Sequence, residues 1–268
     1  MLENTIYGMI QGVAEWLPVS SEGLIVLAHM AFGGIADLDD ILRLALFLHM
    51  GTFFAALAYF WREVFALARA PFIWKQTPKG ERAVFRFLAV ATAVTALIGG
   101  SIWLLLGRVD DLSAVPGSFV MVAIGLLLLV TAWLQLRVKR RGTRTVHELT
   151  VWDALLTGGL QGFSVLPGIS RSGSTVAMLL IRKIDDTTSL HLSFLMSLPV
   201  VLGANIVLNA DKFVWNPAMF AGLVASFFFG LVTIHWLLKL ARQFNFGYFV
   251  LAFGILTILA GVITYVIE

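Results

Sequence analysis

The residues best suited to chemistry lie in two short polar stretches of an otherwise apolar chain. In one stretch, LPGISRSGST at residues 166–175, Arg171 follows Gly168 and stands among four hydroxyl groups. These hydroxyls belong to Ser170, Ser172, Ser174 and Thr175. A guanidinium offers five donors in a fork that suits phosphate oxygens, and the N–H groups at the start of a helix favour anions. The stretch therefore predicts a loop that binds a phosphate group.

The other stretch, QGVAEWLPVSSEG at residues 11–23, supplies carboxyl groups. Gln11 and Glu15 stand at i and i+4, which places them on one face of a helix. The hydroxyl and carboxyl residues that follow are Ser20, Ser21 and Glu22. We expect Gln11 and Ser20 to contact the substrate. A carboxylate at Glu15 can hold a divalent cation or take a proton from a hydroxyl. We therefore take Glu15 as a candidate for the base or for a metal ligand, and Ser21 as the candidate nucleophile with water as its competitor.

Structural roles compete with these chemical ones. Serine and threonine often satisfy helix ends or join membrane helices, and Arg171 could pair with Glu15 merely as a bridge. Ionisable residues deep in a membrane domain are nevertheless functional candidates by default, so for the group as a whole we favour function. His49, in the apolar segment ALFLHMGTFFAALAYF, has two open interpretations: a core histidine, or a proton shuttle that faces the two stretches.

The composition indicates the class of protein that contains these residues. Hydrophobic residues make up 59% of the 268 residues and charged residues only 13%, whereas a soluble domain carries roughly 25% charged residues. The mean hydropathy is +0.90, so we predict an integral membrane protein. Since a span needs about 20 apolar residues, six segments are predicted to cross the bilayer: 41–61, 84–106, 116–137, 188–209, 217–238 and 246–266.

Two further apolar regions are interrupted in the middle. Residues 4–32 are broken at Pro18, and residues 150–183 are broken at Pro167. Proline ends a helix and the hydroxyls that follow can cap a new one, so each region predicts a re-entrant helix–loop–helix hairpin. The expected fold is an all-α polytopic membrane protein of one domain, residues 1–268, with six full transmembrane helices and ten helical segments in all.

Basic residues cluster in the links at 62–86, 137–144 and 239–242, while acidic residues mark the links near Asp37, Asp110 and Asp211. Basic links face the cytoplasm, which predicts a multi-pass protein of the plasma membrane with both termini on the outer side.

The two interrupted regions resemble each other. Gln11 and Gln161 are 150 residues apart, and the pairs Gly12–Gly162, Ser20–Ser170 and Gly23–Gly173 share that offset. Each hairpin is followed by three spans, an odd number, so the second copy must lie inverted relative to the first. We predict repeats at about 1–140 and 145–268, with chance similarity of glycine- and serine-rich stretches as the alternative.

The paired motifs resemble those of the undecaprenyl-diphosphate phosphatases of the bacitracin-resistance type. QGVAEWLPVSSEG is similar to that family's (E/Q)xxxE motif followed by PVSS, and LPGISRSGST is similar to its PGxSRSxxT motif. FLHMGTFFA and FLMSLPVVLGA also stand where the family has similar segments, so the resemblance covers nearly the whole chain.

The resemblance implies that the protein removes the terminal phosphate from a C55-type polyprenyl diphosphate, which recycles the lipid carrier of envelope glycan synthesis. It implies a divalent cation, Mg²⁺ or Ca²⁺. It also implies acidic-motif roles for Gln11 and Glu15 and a hydroxyl role for Ser21. The implied phosphate motif consists of Ser170, Arg171, Ser172 and Thr175.

This chain departs from the family pattern at two positions. Where the family often reads PVSSTGH, Glu22 replaces the threonine and Leu24 replaces the histidine. A mechanism that needs that histidine cannot operate, so either Glu15 and Ser21 carry the chemistry with support from Glu22 or His49, or the activity is altered.

The rival hypothesis is a transporter that moves polyprenyl phosphate between leaflets, because inverted repeats with broken helices are a transporter architecture. As partners we expect the polyprenyl diphosphate, the membrane lipids and a second copy in a homodimer, and no nucleic acid.

Overall fold

The computed structural model describes residues 1–32, 38–106, 115–138, 142–209, 216–243 and 245–267, and these ranges contain eleven α-helices. Six of the helices are long and apolar enough to cross a membrane. They are α3 (Leu38–Tyr59), α5 (Lys79–Leu106), α6 (Gly117–Leu136), α9 (Asp186–Asn209), α10 (Pro217–Gln243) and α11 (Gly247–Ile267). Each of the six predicted spans corresponds to one of these candidate membrane helices.

The five remaining helices are shorter. They are α1 (Leu2–Ala14), α2 (Ser21–Ala31), α4 (Trp61–Arg69), α7 (Val151–Gly162) and α8 (Arg171–Ile181). The chain breaks between α1 and α2 and between α7 and α8 at the predicted prolines, since Pro18 and Pro167 lie in the two connecting segments. Each of these two helix pairs therefore presents an irregular loop between two short helices.

Helix α4 was not predicted, so the expected ten helical segments were one too few. Its nine residues include none that is buried, and the sequence pattern was interpreted as part of a charged link. The helix is amphipathic instead, with the guanidinium of Arg62 5.3 Å from the centre of the Trp61 ring and that of Arg69 5.2 Å from the Phe65 ring. Such aromatic and basic side chains suit a helix that lies at the membrane interface.

The helices pack so that the two loops lie next to each other. Helix α1 packs against α10, α7 packs against α5, and α6 packs against α11, while α3 contacts both α9 and α10. Large apolar side chains such as Phe119, Leu126 and Phe228 are exposed on the outside, which is the surface that lipid would cover.

Trp16 anchors the first loop inside the protein. Its side chain is 1% exposed, its indole N–H donates to the Gly230 carbonyl at 2.9 Å, and its ring lies 5.4 Å from that of Phe194. Burial of a large aromatic side chain contributes about 1.5–3 kcal/mol. Because Glu15 directly precedes Trp16, this contact fixes the backbone that carries the carboxylate.

Several charged residues on which the predicted orientation depends lie outside the described residues. This applies to Asp37, to Arg108, Asp110 and Asp111, to the basic run 139–141, and to Asp211 and Lys212. The predicted orientation of the termini stays a prediction.

Candidate active site

The two loops end in the same way, each with a serine that caps the next helix. Ser20 accepts a hydrogen bond from the Gly23 N–H at 3.2 Å at the start of α2, and Ser170 accepts one from the Gly173 N–H at 3.0 Å at the start of α8. A serine cap satisfies one of the free N–H groups of the first helical turn. Helix α8 accordingly begins at Arg171, directly after its serine cap.

Hydrogen bonds join the two loops side by side. The Gly168 N–H donates to Ser20 Oγ at 3.1 Å, Ser170 Oγ donates to the Val19 carbonyl at 2.9 Å, and Ser172 Oγ donates to the Leu17 carbonyl at 2.9 Å. Irregular backbone that is enclosed away from water needs hydrogen-bond partners within the protein. The two serine-rich motifs therefore hold each other in place.

Gly168 makes the close approach of the second loop possible. Its φ of 103° lies in the left-handed region that glycine adopts readily. A Cβ at this position would lie 2.7 Å from the Ile124 carbonyl oxygen on α6. Gly168 thus shapes the loop, in addition to its predicted place in the phosphate-binding stretch.

Two further side chains from α6 support the loops, and sequence reasoning missed both. Gln135 donates to the Pro18 carbonyl at 2.6 Å. Thr131 donates to the Gly168 carbonyl at 3.1 Å and accepts from the Ser170 N–H at 3.1 Å. The signal was available, because Thr131 and Gln135 are polar residues at i and i+4 within an apolar span.

Glu15 lies at the centre of the site, where it is 6% exposed. Its Oε1 accepts a charge-assisted hydrogen bond from Arg171. Its Oε2 accepts from Gln11 Nε2 at 3.0 Å and from Ser21 Oγ at 3.1 Å, and His49 Nε2 lies 3.4 Å away. The structure therefore brings four of the predicted residues together around the carboxylate of a fifth, Glu15.

His49 reaches this carboxylate from α3 with a defined ring orientation. Its Nδ1 lies 2.7 Å from the Ala45 carbonyl oxygen, and a carbonyl can only accept, so Nδ1 carries a proton. Nε2 then faces Glu15. Of the two interpretations of His49, the one in which the ring faces the loops agrees with its position; its role as a shuttle stays a prediction.

Arg171 is held from two directions. Besides Glu15 it donates to the Ser193 carbonyl at 3.1 Å, and Ser193 was not among the predicted residues. The side chain is 13% exposed. A guanidinium has five N–H donors. Those that do not bond to Ser193 or Glu15 can donate to an incoming anion.

The other hydroxyls of the second stretch bond within the protein. Ser174 Oγ donates to the Ser170 carbonyl at 2.8 Å, and Thr175 Oγ1 bonds to the Arg171 carbonyl at 2.8 Å and to Ser193 Oγ at 2.7 Å. Both residues are fully buried. Their predicted contact with substrate, like that of Ser20, Ser170 and Ser172, stays a prediction and would require an exchange of partners.

The two positions that depart from the family pattern lie in different surroundings. Leu24 packs against the apolar cluster around Ile25 and Leu48, so nothing at that position can move a proton. Glu22 lies in the first turn of α2, is partly buried and interacts electrostatically with Glu15. Within the described residues it has no hydrogen bond or ion pair.

A second buried carboxylate stabilises the α7–α8 hairpin away from the site. Asp153, at the start of α7, accepts from Arg144 Nη2 at 2.6 Å, from Arg182 Nε at 2.7 Å and from the Thr150 N–H at 2.8 Å. Burial alone would raise the pKa of the Asp153 carboxyl, but the hydrogen bonds from the two arginines and Thr150 outweigh it and hold the pKa well below its usual range.

The sequence of this chain is similar to those of known proteins. The family model described as bacitracin resistance protein BacA matches residues 4–263. A protein named undecaprenyl-diphosphatase from Methanococcoides burtonii is 39% identical over 265 residues, 96% of this chain and 97% of that protein. Proteins with the same name from Haloarcula marismortui and Syntrophotalea carbinolica are 37% and 35% identical. They cover 98% and 90% of this chain, and 98% and 90% of their own lengths.

Proposed function

The chain belongs to the bacitracin resistance protein BacA family, and on that premise we infer that it is an undecaprenyl-diphosphatase. It is a membrane hydrolase that converts undecaprenyl diphosphate to the monophosphate and inorganic phosphate. The relatives that carry this name align over nearly their whole length. The observation that carries the assignment to this site is the convergence of an anion-binding Arg171 and the Ser21 hydroxyl on the single carboxylate of Glu15.

Arg171 binds the terminal phosphate in this mechanism. Its planar fork suits two phosphate oxygens at once, and the Ser193 carbonyl keeps the guanidinium oriented. When the diphosphate arrives, the phosphate oxygens take the place of the Glu15 carboxylate as partner of Arg171. Binding of substrate thereby frees Glu15 for proton transfer.

Glu15 then acts as the base. Ser21 Oγ already donates to Glu15 Oε2 at 3.1 Å, which is hydrogen-bond reach for a nucleophile and its base. Ser21 or a water molecule in its place attacks the terminal phosphorus and gives its proton to Glu15. The new O–P bond forms as the bond between that phosphorus and the bridging oxygen breaks, and the polyprenyl monophosphate leaves. If Ser21 attacks, water hydrolyses the phosphoserine in a second step.

A divalent cation, Mg²⁺ or Ca²⁺, fits the oxygen donors at this site. Glu15 and Glu22 interact electrostatically, and carboxylates are the ligands that these cations prefer. No group of three or more His, Asp or Glu side chains that could hold a metal is found among the described residues, so substrate phosphates would complete the ligand set. When bound, the cation neutralises charge on the diphosphate.

We also propose that the two broken helix pairs are re-entrant hairpins related by an inverted repeat. Corresponding helices make corresponding contacts, since α1 packs on α10 and α7 packs on α5. A Cβ at Gly12 would lie 2.7 Å from the Ser226 carbonyl oxygen of α10, and one at Gly162 would lie 2.7 Å from Ile98 of α5. The matched serine caps of α2 and α8 give further support. On this proposal the halves are about 1–140 and 145–268, with both termini outside.

The deciding experiment measures phosphate release from farnesyl diphosphate and from a longer polyprenyl diphosphate by the purified protein, with and without EDTA. We expect release that depends on Mg²⁺ or Ca²⁺ and that disappears in the Arg171→Ala variant. Absence of release under every metal condition would favour the rival transporter of polyprenyl phosphate. The homodimer stays a prediction, and the oligomeric state can be measured on the same purified protein.

A further inference from the structure

Helix α4 carries exposed apolar and basic side chains on two adjoining faces. Trp61, Phe65 and Ala68 are spaced i, i+4 and i+7, which places them on one face of the helix, and all three are exposed. Arg62 and Arg69 are seven residues apart, about two turns, and therefore share the neighbouring face. The Arg62 guanidinium lies over the Trp61 ring and that of Arg69 lies over the Phe65 ring. An apolar face bordered by cations is typical of a helix that lies in the plane of a membrane surface.

The remaining side of α4 is fixed to the protein. Val64 and Leu67 pack against a buried apolar cluster. Glu63, the only acidic residue of α4, contacts the ring of His191 on α9. Among the described residues, no carboxylate forms an ion pair with either arginine of α4. The helix therefore holds two positive charges beside exposed rings in a fixed position, which lowers the entropic cost of binding a partner there.

The segment that follows α4 extends the same surface. Phe72 is 88% exposed and Ile73 is also exposed, and the side chains of Lys75 and Lys79 lie in the open as well. This segment connects the end of α3 to the start of α5, and both of these helices are candidate membrane spans. Residues 61–79 therefore lie at the level where the hydrocarbon core of a bilayer meets the headgroups.

We propose that residues 61–79 bind anionic phospholipids of the adjoining leaflet. The exposed rings and Phe72 enter the acyl-chain region, while Arg62 and Arg69 donate to headgroup phosphates. The segment contains four basic residues and one acidic residue, and a group of four or more basic residues beside a span favours lipids of net negative charge. A zwitterionic headgroup has its own positive charge and gains no such attraction. This inference is independent of the phosphatase function.

Native mass spectrometry of the full-length protein in detergent, titrated with phosphatidylglycerol and separately with phosphatidylcholine, tests the proposal. Each basic residue near an anionic surface contributes about fivefold in affinity. The double variant Arg62→Gln/Arg69→Gln should therefore bind phosphatidylglycerol roughly tenfold to thirtyfold more weakly and phosphatidylcholine as the wild type does. Its melting temperature should not change, because both side chains are exposed. Wild-type affinity for phosphatidylglycerol should also fall as the ammonium acetate concentration rises.

The matched control is Arg137→Gln/Lys239→Gln, which removes the same charge from exposed positions on α6 and α10. It should lose less than about threefold in affinity for phosphatidylglycerol. Equal losses in the two double variants would show that binding follows net charge alone and would overturn the proposal. A wild-type protein that binds both lipids equally well would overturn it too.

A charge-conserving variant separates the positive charge from the rest of the side chain. Arg62→Lys/Arg69→Lys should stay within about threefold of the wild type in its affinity for phosphatidylglycerol, because each lysine keeps the attraction to the headgroup. A loss as large as that of the glutamine variant would contradict the proposed electrostatic contact.

Discussion

Arg171 and Glu15 lie 156 residues apart in the chain, yet their side chains form an ion pair that joins the second loop to the first. Each half of the protein contributes one charge, and neither loop alone contains the pair. Both side chains are nearly buried, with exposed fractions of 13% and 7%. A site that needs both halves in register can bind phosphate only in the folded protein.

Replacement of Arg171 should abolish turnover. Arg171→Lys should restore little of it, because a point charge cannot contact the Ser193 carbonyl, Glu15 and a phosphate as the planar fork does. Breaking a buried pair costs about 3–5 kcal/mol, so Arg171→Ala should also lower the melting temperature. The double variant Arg171→Ala/Glu15→Gln should regain melting temperature without regaining turnover. A lysine variant with near-normal kcat/KM would contradict the proposed geometry.

Glu15 and His49 should differ strongly in their effect on the chemical step. Glu15→Gln should lose about two to four orders of magnitude in turnover, the usual loss when a general base is removed. His49→Gln should cost about tenfold or less, equivalent to roughly 1.4 kcal/mol of barrier, if the ring only supports the carboxylate. Both are compared as folded, monodisperse protein at saturating metal across a pH series. An inactive His49→Gln beside an active Glu15→Gln would assign the base to the histidine.

The neighbouring serines of the first loop offer a second internal comparison. Ser20→Ala removes a helix cap and a contact to the Gly168 N–H, so it should lower the free energy of unfolding by about 1 kcal/mol. Ser21→Ala should instead lose at least about tenfold in turnover at near-normal stability. Mass spectrometry of quenched turnovers distinguishes a phosphoserine at Ser21 from direct attack by water. Equal losses of stability in both variants would argue that Ser21 is structural.

Topology can be tested without chemistry, since the chain contains no cysteine. Single cysteines in place of Gln76 and Thr143 should react with an impermeant maleimide only from the cytoplasmic side, and one in place of Asp40 only from outside. Gly142 is unsuitable because a Cβ there would collide with the Ile184 carbonyl. Labelling of position 40 from the cytoplasm would rule out the inverted repeat.

The Asp153 cluster predicts a stability change in acid. The pKa of this carboxyl is held below its usual range, so its stabilisation is fully present above about pH 5 and is lost progressively as the pH falls towards the lowered pKa. The melting temperature should therefore fall in this acid range for the wild type. Asp153→Asn should have a lower melting temperature at neutral pH and a flatter dependence below pH 5. Asp40→Asn, at an exposed position, should follow the wild-type curve.

The amino-acid sequence determined the class of protein and the candidates for its chemistry. Six apolar segments of sufficient length predict six spans because the bilayer core sets the length of a helix that crosses it. The prolines at 18 and 167 mark both broken regions because proline cannot continue a helical hydrogen-bond pattern. Glu15, Ser21 and Arg171 were recognisable from residue type and motif alone. The short helix α4 was not predicted, because its nine residues lie between two spans in a segment rich in basic residues, which is typical of a loop.

Only the tertiary structure decided what each of these groups contacts. Ser174 and Thr175 bond to carbonyls of their own helix, while Glu15 gathers donors from α1, α2, α3 and α8. Thr131, Gln135 and Ser193 belong to the site although they lie outside both sequence motifs. Local sequence sets where a helix begins and ends, but the partner of a side chain depends on which helices pack together. For residues more than a hundred positions apart, that packing exists only once the whole apolar core has formed.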